Sequence, residues 1–389
     1  MRAGATLLGL KAITLAARTL LRLDPVPPAR LPLPGGRLRV LFLAHYRGLS
    51  TGTRYRLAKW AEHLRSLDHV ARLDLPVGEP TAKRLEPWHL AERAEFHVRL
   101  LASRLRSALA AGLFDVAVLH LNDLPFWEYG APFLAREIRR RVPRLLLDLD
   151  DLPVVGGESE IRPRVRALAA AVDGLVLGNP EIARHLPGRP WHHVPTCVDP
   201  AEWPATDRSE GSSPPLLGWV GTAGNLRHLR AIAPALAVLC REDTLRLRVI
   251  CSEPPDLPGV PVEFVRWSAR HEVDDLQPVD IGLAPLADGP AERCKCGLKA
   301  LQHMAAGAAV VASPVGALRR IVRPGATGLF ATDIPDWTGA LRRLARDRPL
   351  LAAMGREGRH DVETRWSFAA REPAFLAALR GPGAGRPSP

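Results

Sequence analysis

Residues 279–316 constrain the chain more than any other stretch. The segment VDIGLAPL, 279–286, is apolar but for Asp280, with Pro285 near its end, and it reads as a buried strand. From 297 to 306, Leu298, Leu301, Met304 and Ala305 recur at spacings of three and four, the period of a helix that buries one face. Gly307 ends that helix, because glycine takes the left-handed C-terminal conformation without steric cost. AAVVAS, 308–313, is a second buried strand, and SPVG the turn after it. Strand, loop, helix, strand is a βαβ unit. In open parallel sheets such units bind ligands at the carboxyl ends of the strands. The loop 287–297 lies at that end and brings Arg293, Lys295 and, just inside the helix, Lys299. Fixed cations beside a helix N-terminus make an anion site.

The chain has 389 residues, 47% of them hydrophobic, which is enough for two domains with real cores. Its formal net charge is +12, carried by 48 arginines and only five lysines. That balance suits acidic substrates, an anionic membrane surface or nucleic acid. Nucleic acid is set aside: there is no aromatic-interleaved basic patch, no zinc-finger spacing and no dense recognition helix. Five cysteines in a chain this long argue against a disulfide framework and for a reducing compartment. Cys294 and Cys296 lack a second Cys or His pair at zinc spacing, so they read as small loop residues.

Residues 1–24 place Lys11, Thr14, Arg18 and Arg22 on one helical face and apolar residues on the other. This is either an amphipathic helix of the kind that lies on an anionic bilayer or a dispensable leader. Five prolines between 25 and 36 mark an extended linker. LRVLFLA, 38–44, is the first buried strand, followed by a loop with Gly48 and Gly52 and a helix that begins near 51–53. No GxGxxG fingerprint is present, so a bound dinucleotide is not implied. Further strands are expected at 69–75, 114–123 and 144–153, with helices at 88–110 and 128–141. The strand 114–123 carries His120 out to its carboxyl end; taken alone, that residue reads as a structural histidine. Asp148, Asp150 and Asp151 end the strand at 144–153 and suit arginine pairing or helix capping better than a metal. Asn179 and Pro180 open a helix in 173–186. Residues 191–203 read as a last strand, with His192 and His193 on opposite faces. A polar linker at 205–215 precedes a second set of strands at 216–220, 245–254 and 262–268. The glycine loop 221–225 follows the first of them, and its amides suit a diphosphate.

The ordered set of segments over residues 38–370 resembles GT-B glycosyltransferases, and glycosyltransferase family 4 (group 1) in particular. The residues that carry the likeness are Gly297, Ala305 to Gly307, Val310 to Gly316, Asp115 to His120, and the 179–199 succession. The resemblance implies an α/β, GT-B fold: two Rossmann-like doubly wound domains facing a central cleft. The expected domains are a leader and linker at 1–36, an acceptor-side domain at 37–204, a linker at 205–215 and a nucleotide-sugar domain at 216–366. A C-terminal helix at 367–380 would cross back, and 381–389 would form a tail.

It implies His120 and Lys299 as the catalytic pair, with His120 at the donor sugar and Lys299 on the diphosphate. Donor binding would fall to Gly221, Thr222, Arg227, Lys295, Gly297, Gln302, Trp267 and Ser313, and the acceptor side to Gly52, Arg54 and Arg56. Arg227 reads equally well as a solvated helix position. Where the family has two glutamates this chain has Cys294 and Gln302. Gln302 keeps the hydrogen bonds a ribose needs, whereas Cys294 cannot do a carboxylate's work. The implied reaction moves a sugar from a nucleotide-diphosphate donor to the hydroxyl of a glycan or lipid-linked acceptor, with retention, in polysaccharide or glycolipid assembly. It needs no metal and no resident cofactor. The expected place is the cytoplasm, with peripheral membrane contact through residues 1–24. The missing carboxylates motivate an alternative from another class: a non-catalytic sugar-nucleotide or glycan-binding subunit.

Overall fold

The computed structural model describes residues 31–44, 50–75, 90–120, 131–151, 163–204, 206–209, 214–242 and 245–381. The leader 1–24, Gly48, Asn122, Asp123 and nearly all of the tail lie outside the described residues. The chain divides into two compact units, residues 1–194 with 372–389 and residues 195–371.

The first unit is a six-stranded parallel sheet. Its strands are β1 (Arg39–Leu43), β2 (Val70–Asp74), β3 (Val116–His120), β4 (Arg144–Leu149), β5 (Gly174–Leu177) and β6 (Trp191–His193), in the order β2-β1-β3-β4-β5-β6. The inner strands are apolar at nearly every position because helices cover both faces, while the edge strand β2 is largely open. Ser50 caps the helical run that follows β1, its side chain accepting from the Thr53 N–H. That run continues to Ser66 through a π turn at Arg54–Ala58. Helices Leu90–Ala110, Ala131–Arg139 and Pro163–Ala171 complete the crossovers. The last of these lies outside the sequence expectation: its buried face, Val165, Leu168 and Ala169, is a single helical period set between arginines. Asn179 caps as expected, accepting from Glu181 N–H, but the turn it opens, Pro180–His185, is 3-10 rather than α.

Residues 372–381 return to this unit. Phe375 packs against Trp60 with ring centroids 4.2 Å apart and against Phe42 at 6.3 Å. Arg144 Nε donates to Ala378 O at 2.9 Å.

The second unit holds β7 (Leu216–Val220), β8 (Arg246–Cys251), β9 (Val262–Arg266), β10 (Ile281–Ala284), β11 (Ala309–Ala312) and β12 (Gly328–Phe330). All are parallel, in the order β12-β11-β10-β7-β8-β9. Two boundaries differ from the sequence expectation. Residues 195–204 belong here rather than to the first unit. Val198 N–H donates to Trp366 O, and Arg359 donates to Pro200 O and Trp203 O. The described residues of 205–215, namely 206–209 and 214–215, fall inside this unit and not at its boundary. Within it, buried Arg208 donates to Ala306 O at 2.8 Å and reaches Asp280 at 3.9 Å.

Arg56, expected on the acceptor side, is instead the buried anchor of the first sheet. Its Nε and Nη2 donate to Asp148 Oδ2 and Oδ1 at 3.1 and 2.5 Å, and Nη1 donates to Val194 O at 2.7 Å. The two side chains are 1% and 3% exposed. Removing one partner of such a pair leaves an uncompensated buried charge. Asp148→Ala is expected to cost about 3–5 kcal/mol by chemical denaturation at pH 7. An Arg56→Met/Asp148→Leu double variant should recover most of that loss.

Candidate active site

In the second unit the strand order reverses between β7 and β10, and their carboxyl ends open at that switch point. Gly218 and Gly282 are register partners there. A Cβ on Gly282 would collide with the His303 ring, so the glycine lets helix Leu298–Ala305 sit directly on the sheet. Gly297 precedes that helix in the left-handed conformation at φ 74°, outside rather than inside it, and a Cβ there would strike Ile321 Cδ1. Gly307 ends the helix at φ 75°, as the sequence implied.

Lys299 stands on the first turn. Its Nζ lies 4.3 Å from the centroid of the Trp219 ring, and a Cβ on Gly221 would be 2.6 Å from Nζ. The ammonium is thus held between an indole face and the bare backbone at the end of β7. Burial, reinforced by the charge of Lys295, pulls its pKa down to about 7. Ser313, at the end of β11, accepts from Leu286 N–H at 3.0 Å and ties the loop after β10 to the strand beside it. Thr222 is exposed, and its Oγ1 accepts from Asn225 Nδ2 at 2.8 Å across a single 3-10 turn, Ala223–Asn225.

Arg227 projects into solvent with its side chain 62% exposed and pairs with Glu292 at 2.7 Å. Behind it, buried His228 accepts from Ala287 N–H through Nδ1 at 3.3 Å, and its Nε2 lies 3.8 Å from Glu292 Oε1. Burial first, then the charge of Arg227, lower the His228 pKa to about 4, so the ring is neutral. Sequence reasoning singled out neither His228 nor Glu292. No spacing joins them, and only the fold of the loop 285–297 brings them together. Trp267 is held at the end of β9, where its Nε1 donates to Glu272 Oε1 at 3.0 Å. Gln302 and Cys294 are 2% and 0% exposed.

In the first unit the order reverses between β1 and β3, and His120 ends β3 at that point. It is buried, with Nε2 3.4 Å from Asp150 Oδ1 and 3.9 Å from Asp148 Oδ2. Gly52, at the start of the helical run, abuts both: a Cβ there would lie 2.8 Å from Asp150 Oδ2 and 3.2 Å from the His120 ring. Burial opposes charge on His120, but Asp150 and then Asp148 outweigh it, and the pKa is raised. The same exchange lowers Asp150 to about 2 in spite of its burial. Arg54 is half-buried over the Tyr55 ring, 5.2 Å from its centroid. Among the described residues no group of three or more His, Cys, Asp or Glu is placed to hold a metal ion. None of the described helices is long and apolar enough to cross a membrane.

Two parallel six-stranded sheets of this winding are the GT-B fold of glycosyltransferases. The chain matches HepE of Anabaena, solved with UDP and glucose, with TM-score 0.66 and 14% identity, over 88% of this chain and 100% of that one. It matches sucrose-phosphate synthase of Thermosynechococcus elongatus with TM-score 0.64 and 14% identity, over 88% and 98%. At such identities the likeness is one of fold. Within the fold, residues 214–347, which carry β7 to β12, match the family model described as "Glycosyl transferases group 1". A D-inositol 3-phosphate glycosyltransferase of Nocardia farcinica (strain IFM 10152) is 31% identical over 201 residues, 45% of this chain. The chain spans less than half, 45%, of that relative's length.

Gly221→Ala should separate the Lys299 seat from the rest of the fold. The added methyl meets Nζ at 2.6 Å and the Trp219 ring at 2.7 Å. We expect a protein with an unchanged circular dichroism spectrum whose affinity for inorganic pyrophosphate, by calorimetry, falls roughly tenfold or more, the worth of one charge-assisted hydrogen bond.

Proposed function

We propose that the chain is a glycosyltransferase that moves a sugar from a nucleotide-diphosphate donor, with UDP as the nucleotide, to an acceptor hydroxyl. The observation that carries this is Lys299, an ammonium fixed against Trp219 and Gly221 at the switch point of the second sheet, within a group 1 glycosyl transferase match. HepE, of the same fold, is solved with UDP and with UDP-glucose, which favours uridine over the other bases. Lys299, Lys295 and the amides after β7 would neutralise the departing diphosphate without a metal, a task of positioning and charge stabilisation. His120 is the first unit's candidate for the transfer step. Transfer with retention, and a glycan or lipid-linked acceptor in polysaccharide or glycolipid assembly, complete the proposal. So does peripheral membrane contact through residues 1–24.

A specific observation favours a second reading, a non-catalytic binder of sugar nucleotides. Cys294 and Gln302 stand where the family resemblance expects glutamates, and both are buried. Donor hydrolysis separates the two, because a binder releases no sugar at any enzyme concentration.

Saturation with UDP at about 100 times its dissociation constant should stabilise the protein by about 2.7 kcal/mol in a metal-free thermal melt, and GDP, dTDP and ADP by less. Lys299→Ala should abolish the shift; no shift with any diphosphate would remove the donor site. The pH dependence has a definite sign. The ammonium is present below about 7 and lost above it, so UDP-sugar affinity should fall as pH rises through neutrality. The sugar diphosphate itself has no ionisation in that range. Calorimetry at pH 6 and pH 8.5 should show this trend in the wild type and a flat response in Lys299→Arg, whose guanidinium stays charged.

A further inference from the structure

Two carboxylates approach His120, and their surroundings give them different roles. Asp148 is fixed from the other side by both Nε and Nη2 of Arg56, with its own side chain 3% exposed. Its charge is already met by that guanidinium. Asp150 stands closer to the ring, 3.4 Å from Nε2 against 3.9 Å, and its side chain is 26% exposed. The N-terminus of the helical run at Thr51 comes up against this pair, because Gly52 carries no side chain to hold it off. A helix N-terminus favours a carboxylate in its ionised form. Among the described residues, the charged groups that bear on the ring are therefore Asp150 and Asp148 from the end of β4, and Arg56 from the helix after β1.

We propose that Asp150 is the positioning residue of His120: it takes the Nε2–H edge of the ring and holds the side chain as an imidazolium, so that His120 serves as a cationic hydrogen-bond donor and not as a base. This rests on the reading of His120 as a transfer-step residue. Once Nε2–H is committed to the Asp150 carboxylate, which lies at an ion-pair distance of 3.4 Å, the proton that comes and goes is the one on Nδ1. When that proton is present, Nδ1 donates; when it leaves, Nδ1 can only accept. A sugar hydroxyl oxygen, or negative charge on a departing group, is served by the first state. The acceptor's own proton then passes to an oxygen of the departing diphosphate, because an imidazolium has no lone pair to take it.

The test measures the ring and the reaction separately. His120 is titrated by NMR in the full chain, in wild type, Asp150→Asn and Asp150→Glu, with thermal melts to confirm folding. In wild type the ring should titrate above the ordinary imidazole value. In Asp150→Asn the titration should fall by about one unit or more, a tenfold change in proton affinity per unit. Asp150→Glu should keep it high. With Lys299→Arg as the background, so that Lys299 does not titrate in this range, the alkaline limb of kcat/KM should move down by the same amount in Asp150→Asn only. A folded Asp150→Asn protein whose His120 titration is unmoved overturns the proposal. A His120→Ala variant with full turnover, or a rate profile that stays put while the ring titration moves, refutes His120 as a transfer-step residue. That outcome would strike the underlying reading and leave the pairing itself standing.

Discussion

The second unit depends on how closely helix Leu298–Ala305 bears on its sheet. Gly282 and Gly218 sit side by side at the switch point, and no larger residue on β10 would leave room for His303. That closeness has a cost. His303 is fully buried, with neither ring nitrogen hydrogen-bonded among the described residues. Burial above all, then the charges of Lys299 and Arg208, push its pKa down to about 3, so it stays neutral. Leaving a buried polar group unsatisfied costs about 1–3 kcal/mol. One turn earlier on the same helix, the same approach delivers Lys299 to Trp219 and Gly221. The strain of the packing and the placing of the cation are thus two ends of one contact.

The two candidate groups are shifted in opposite senses from their ordinary values. Lys299 is partly stripped of water and stands near another lysine, and it loses its proton more easily than a free lysine does. His120 is stripped of water too, yet two carboxylates make it hold its proton more tightly than a free histidine does. Desolvation disfavours charge in both cases. For the lysine burial leads and the charge of Lys295 adds to it, whereas for the histidine the opposite charges of Asp150 and Asp148 overcome burial. Perturbation of this kind, by burial plus a specific charge partner, is typical of functional positions.

Much of the fold was legible along the chain. Continuous apolar runs marked the inner parallel strands, because a strand covered on both faces leaves no polar alternation. Gly307, Asn179 and Pro180 punctuated elements through backbone preferences that act within a few residues. Helix Pro163–Ala171 carries Val165, Leu168 and Ala169 at helical spacing, but in nine residues that period is too short to stand out between arginines. The domain boundary was misplaced because residues 195–204 look like the end of one sheet, while their hydrogen bonds go to Trp366 and Arg359, far along the chain. In the site, the glycine loop, Lys299 and the position of His120 could be read from their places after strands.

What could not be read was which charges cancel. Arg56 and Arg227 look alike in sequence, each a cation one or two turns past a glycine. Arg56 is buried against Asp148, 92 positions away, while Arg227 lies open beside Glu292, 65 positions away. Local periodicity and chain chirality act over a few residues, so the chain order sets the alternation of strands and helices and the ends at which ligands gather. Desolvation and pairing act through space between residues far apart in sequence, so only the assembled sheets decide that Asp148 belongs to Arg56, Asp150 to His120, and the Gly221 backbone to Lys299.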